Sequence, residues 1–314
     1  MSKLTRLFCL SLLLALAAAT TAAAQEGVVL GFKFAPGDVQ EYEMSFSGSG
    51  GLRAPDGEMA AMGMQGSCRA KVTVGEVLPD GSARLALLLQ RAEVQMTIGD
   101  ERARFSFANG QVRWYANGRE QAPPEADIAQ MPMLGVPLEF IASPRGQILD
   151  VILPNLQSMA GMQQMVPGLG PPQLKNLGAP LFPDKPVRVG ETWRRSVSVM
   201  PFGPTMPVTV TTSRTLDSYS GVEAMGLAKI SGYSETTFRA NPMTVGPSES
   251  QMTVSMPEMK QTLTSTEFFN VTEGRLVRAD YISSLTTRVA FAAGEQGQQE
   301  AGLEARFSAT IQAR

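Results

Sequence analysis

Apolar and polar residues alternate along most of this chain, with the period of a strand that buries one face. Tyr42, Met44 and Phe46 follow this rule after a Pro36-Gly37-Asp38 turn signal. Ala70, Val72 and Val74 repeat it, and Ala83, Leu85, Leu87 and Leu89 continue it beyond Pro79-Asp80-Gly81. Proline presets φ in that turn and glycine takes the left-handed position, so a hairpin is expected. Val94, Met96 and Ile98 extend the pattern, and Asn109-Gly110 between Phe105, Phe107 and Val112, Trp114 is the strongest short hairpin signal available. Residues 48–66 are rich in Gly, Ala and Met without clear period and read as a loop. Residues 123–131 suggest one or two helical turns with proline at the start. Residues 155–166 predict a short helix with Leu156, Met159, Met162 and Val166 on one side, and the Gly/Pro-rich residues 167–180 read as a linker. From Pro186 onward strands return: Trp193, Val197 and Val199 share one face, which Arg195 interrupts. Further strands are expected over residues 208–216, 222–230, 263–269, 274–281, 285–291 and 303–311, with a looser hairpin over 236–257.

The two halves share a layout. Phe34-x-x-Gly37-Asp38 stands against Val187-x-x-Gly190-Glu191, with Met44 and Val197, and Phe46 and Val199, at equal offsets. Glu139-Phe140-Ile141-x4-Gly146 matches Glu267-Phe268-Phe269-x4-Gly274, and Leu78…Gly81 falls in the place of Leu216…Gly221. Three matches in one order argue for a duplication. The expected fold is therefore mainly β: two related antiparallel units, residues 27–154 and 186–314, separated by a helical insert and linker at 155–185. One curved sheet or half-barrel and a pair of sandwiches both fit this pattern.

Pro186-Val187-x-Val189-Gly190-Glu191-x-Trp193 resembles a phrase recurring in exported bacterial proteins of unknown function, usually written P-V-x-V-G-D-x-W. Glu191 stands where Asp is commoner. The resemblance implies a secreted, β-rich bacterial protein and brings no activity with it.

The first residues point to the same compartment. Lys3 and Arg6 precede an apolar run over residues 7–19, and Ala22-Ala23-Ala24 offers a cleavage site, so residues 1–24 read as a signal peptide. The run is shorter than the ~20 residues of a membrane-spanning helix. Removing it takes Lys3 and Arg6 and no acid from 27 basic and 29 acidic side chains, leaving a net charge of −4. That balance speaks against a nucleic-acid partner. Of the 2 cysteines only Cys68 remains, so no internal disulfide is expected. Arg69 beside it should point to the opposite face of a strand.

Candidate chemistry is sparse. The chain has 0 histidines, which removes the commonest general base, Ser-His and Cys-His activation, and nitrogen-ligated zinc. No nucleophile elbow, P-loop or dinucleotide fingerprint is present. Asp38, Glu41, Glu43, Glu139 and Asp150 are carboxylates without a spacing that pairs them for catalysis. The expectation is a non-enzymatic envelope protein without cofactor. Its partner would be an apolar or lipid-like molecule held under the 155–166 insert, by Leu156, Met159, Met162, Met165 and Val166. A structural or protein-interaction module of the envelope is one alternative. Another is Cu(I) binding by Met159, Met162 and Met165, three of 18 methionines. Trp114 and Trp193, each just after a turn, are candidate ligand platforms and equally candidate edges of a core.

Overall fold

The computed structural model describes residues 27–53, 58–122, 135–152, 181–199, 208–221, 226–245, 252–293 and 298–314. All regular structure there is strand, and no helix occurs among the described residues. The helix expected over 155–166, with Leu156, Met159, Met162, Met165 and Val166, lies outside them, as do the turns expected over 123–131 and residues 1–24.

The strands are β1 (Val39–Arg53), β2 (Met59–Val77), β3 (Ala83–Ile98), β4 (Glu101–Ala108), β5 (Gln111–Ala116), β6 (Arg119–Gln121), β7 (Leu138–Ala142), β8 (Ile148–Ile152), β9 (Thr192–Val199), β10 (Val208–Tyr219), β11 (Leu227–Val245), β12 (Met252–Asn270), β13 (Arg275–Ala293) and β14 (Gln298–Ala313). They form one antiparallel sheet in the order β6-β5-β4-β3-β2-β1-β14-β13-β12-β11-β10-β9. The lower part of β3 also pairs with β7, which pairs with β8. Both halves of the chain thus belong to a single sheet, joined where β1 meets β14, and separate sandwiches are excluded. Among the described residues no bond joins β9 to β6 or β8, so the sheet is not closed.

Of the loop expected over 48–66, residues 48–53 and 59–66 are instead strand, the upper half of the β1–β2 hairpin, paired from Gly48↔Met64 to Arg53↔Met59, while 54–57 lie outside the described residues. Glycines concealed the alternation there, because rings from neighbouring strands occupy the space their side chains would take. A Cβ at Gly48 would collide with the Phe307 ring, and one at Gly66 would meet the Phe46 ring at 2.6 Å. This covering of strand glycines by aromatics is a known device of curved sheets.

Register makes the two faces chemically different. One row across the sheet reads Leu216, Ile230, Glu267, Ala279, Ile311, Met44 and Cys68, from β10 to β2. The adjacent positions on the other face include Glu43, Arg69, Asp280, Gln312 and Thr310. We call the apolar side the inner face. Cys68 lies on it beside Ala92 and Phe107, with Arg69 opposite, and burial pushes its thiol pKa up, which makes it a poor nucleophile.

Two extended segments precede β1 and β9 and hold the lower end of the sheet together. Residues 27–38 run from Val28, bridged to Val187, to Gly37, whose N–H donates to Val74. On the way the Phe32 N–H donates to Pro144 in the β7–β8 turn, and the Lys33 N–H to Gly274 in the β12–β13 turn. The second segment anchors the other way: the Leu181 N–H donates to Arg145 (2.8 Å), whose own Nε donates to Phe182 (2.9 Å). The main core lies here, with Leu30, Phe182, Val187, Leu216, Ile230 and Phe269 buried, and Phe32 set edge-on to Phe269 at 5.4 Å.

Candidate ligand-binding face

The inner face is apolar across β14, β1, β2 and β3, while on β9 to β13 charged and polar side chains stand among apolar ones such as Leu216, Ile230 and Ala279. On the apolar part, two cavities open. One, of about 220 Å³, lies beside the first crossing segment and is lined by Phe32, Phe34, Tyr42, Val72, Leu85 and Phe140 among others. The second, of about 180 Å³, lies at the upper end, where Met62, Met64, Met96, Ile98, Leu303 and Phe307 surround Gly48 and Gly50. Ile98 remains 51 % exposed and Phe307 36 %. Each cavity is smaller than a typical ligand site of ~300 Å³ or more. Met44, Phe46 and Cys68 lie between them on the same face, so the two share one apolar floor. Methionine suits such a floor, because its unbranched thioether adapts to ligands of irregular shape.

On β9–β13 the same face carries charge. Arg214 Nη2 donates to Glu267 Oε2 in an ion pair whose side chains are 5 % and 9 % exposed. Arg214 Nε is buried without a hydrogen-bond partner. Arg195, half-buried on β9, has its guanidinium pKa lowered by burial and then by the charge of Arg214. Tyr281 completes the group: burial, then the Glu267 charge, pushes its phenol up to about 12. Tyr42, in the first cavity, is also raised to about 12 by burial. A phenol whose folded pKa is raised favours the fold fully below the unfolded value of about 10 and loses that contribution as pH rises through the folded value. In an absorbance titration, Tyr42 and Tyr281 are therefore expected to ionise near pH 12, with stability falling between pH 10 and 12. Phenolate absorbance from all tyrosines at pH 10 would contradict this burial.

Of the residues singled out in the sequence, Trp193 packs on the main core and its indole N–H donates to Leu181 (3.0 Å). Trp114 pairs with Phe105 and packs against the Ala92, Phe105 and Phe107 cluster. Neither lines the two cavities described above. Neither Arg214 nor Tyr281 stood out in the sequence, and Glu267 did so only as part of the repeat; Arg195, interrupting the apolar face of Trp193 and Val197 on the strand paired with β10, is the signal in the sequence that lies beside them. No group of three or more His, Cys, Asp or Glu positioned to hold a metal occurs among the described residues. No helix there is long and apolar enough to cross a membrane.

No family model matches this chain, and no curated protein does. Among solved structures it is similar to lipovitellin, described for its lipid–protein interactions, with TM-score 0.45 and 13 % identity over 90 % of this chain. The chain spans only 25 % of the lipovitellin chain. The translocator domain of the autotransporter NalP from Neisseria meningitidis gives TM-score 0.18 and 9 % identity, covering 89 % of each chain. An exported protein with a YmcC-like fold from Bacteroides fragilis gives TM-score 0.13 and 8 % identity, over 88 % of this chain and 97 % of that one.

Proposed function

We propose that this is a non-catalytic, exported envelope protein that holds an apolar or lipid-like ligand on the inner face of its sheet. The observation that carries this reading is the apolar floor running from Phe34 and Leu85 to Met96 and Phe307, open at two cavities. An exposed apolar surface of this kind marks a binding site in a soluble protein, since water is displaced only when something apolar covers it. Export rests on the leader pattern of residues 1–24 and on the phrase around Trp193.

We also infer that the two halves arose by duplication. In support, the Gly37 N–H donates to Val74 and Val74 N–H to Asp38, while the Gly190 N–H donates to Leu216 and Leu216 N–H to Glu191. Both glycines have φ of 86°. By this bonding Val74, rather than Leu78, stands in the place of Leu216.

Native mass spectrometry of protein purified without detergent tests the ligand reading. An adduct of lipid mass is expected, and Met96→Lys should remove it while the protein stays folded. An adduct-free wild-type protein that also fails to take up a fatty acid would overturn it in favour of a purely structural module.

A further inference from the structure

We infer that Met62, Met64 and Met96, gathered at the upper cavity, form a thioether site for a soft monovalent metal ion, Cu(I) or its analogue Ag(I). This goes beyond the ligand-binding reading and does not depend on it.

Register brings the three side chains to one place. Met64 on β2 lies directly opposite Met96 on β3, and Met62 lies opposite Ile98. Facing positions of an antiparallel pair are ~4.5–5.5 Å apart and diagonal ones ~7–8 Å, so the three residues stand within ~8 Å of one another. Two residues apart on β2, Met62 and Met64 share the inner face. Across from them on β1 are Gly50 and Gly48, so no β1 side chain stands between them and the cavity of about 180 Å³ that all three methionines line. The Phe307 ring, leaning over Gly48 from β14, walls that side. An unbranched thioether turns about each of its side-chain bonds, so three of them at this spacing can direct sulfur to a common point.

Packing a core is the ordinary use of methionine, and these three do not serve it. Each is half-buried, and none belongs to or packs against the buried clusters around Phe269, Leu85 and Phe107. The donor set then selects the metal. Neither a carboxylate nor an imidazole lines the cavity, which removes the ligands on which Zn²⁺ and Ca²⁺ rely. Thioether sulfur is a soft, neutral donor suited to Cu(I). Cys68 is too far away to join in: it lies four residues along β2 from Met64, about 13 Å at ~3.3 Å per residue. Its thiol is also held protonated by burial. Glu101, exposed in the row of Met62 and Ile98, places a carboxylate one strand beyond the cavity, where it favours the approach of a cation.

The test titrates the full-length protein with Cu(I), kept reduced by ascorbate in the absence of oxygen, against a chromogenic Cu(I) chelator. Ag(I) binding followed by native mass spectrometry is the second probe. About one equivalent of either ion is expected to bind. Met64→Leu and Met96→Leu should each weaken binding roughly tenfold or more, since even losing an outer partner of a metal ligand costs ~10–100-fold. Leucine keeps the volume and the apolar character of methionine, so these variants stay folded and still take up a fatty acid. A thioether has no proton to displace, so affinity should hold constant between about pH 5 and 8, where a thiolate or imidazole site weakens toward the acid end. Cys68→Ser and M159L/M162L/M165L should bind as the wild type does. Absence of Cu(I) and Ag(I) binding, wild-type affinity in a folded M62L/M64L/M96L protein, or a loss that follows only Cys68→Ser or M159L/M162L/M165L overturns the site. Fatty-acid uptake is read separately in every variant, so the ligand-binding reading stands or falls on its own.

Discussion

Breaking the Arg214–Glu267 pair from one side is expected to cost about 3–5 kcal/mol, as measured by urea unfolding of Arg214→Met or Glu267→Gln. The magnitude follows from burial. With side chains only 5 % and 9 % exposed, each charge has exchanged its water for the other, and losing either partner strands the survivor. Replacing both at once, as in R214M/E267L, removes the stranded charge and should return stability to within about 1 kcal/mol of the wild type. The strong coupling between the two single changes is the signature sought. Additive effects in the cycle would show that the two residues are not in contact. Should the double variant remain stable, the pair is retained for a reason other than stability.

Gly274→Ala is expected to cost about 3 kcal/mol, against about 1 kcal/mol for Gly37→Ala. Both glycines have positive φ, 65° and 86°, and any side chain pays for that conformation. Their surroundings differ. A Cβ at Gly37 meets nothing within 4 Å, whereas one at Gly274 would collide with the backbone nitrogen of Lys33, whose N–H donates to Gly274. Alanine there must push the crossing segment off the β12–β13 turn, which also disturbs Phe32 against Phe269. Denaturant midpoints of the two variants measure the difference directly. Equal losses would mean that residues 27–38 do not press on that turn.

Much of the strand pattern was legible because alternation and turn chemistry act locally. Asn109 and Gly110 both adopt positive φ, as an Asn-Gly hairpin demands, and Asn117-Gly118 does the same at the β5–β6 turn. The upper half of the β1–β2 hairpin was hidden because Gly48 and Gly66 contribute no side chain to the pattern, and the rings that replace them come from Phe307 and Phe46. The charged cluster was hidden for a different reason. Glu139 and Glu267 occupy matching places in sequence, yet Glu139 pairs with Ala86 on the outer face and Glu267 with Ile230 on the inner one. Leu276 pairs with Phe269 after Glu267, whereas Ile148, its match after Glu139, pairs with Ala142, so the strand leading into the matched glycine is offset by one residue. A single-residue offset exchanges faces, and no local signal reports it.

The pairing of β1 with β14 bears on how the molecule is made. Tyr42 lies opposite Ala313, and the Arg314 N–H donates to Glu41. An early strand therefore waits for one made much later in the chain to supply its second neighbour. Contacts so remote along the chain close large entropic loops and slow folding. Until β14 emerges, Met44 and Phe46 present an open strand edge, so the interval between β1 and β14 is when this protein most needs protection from aggregation.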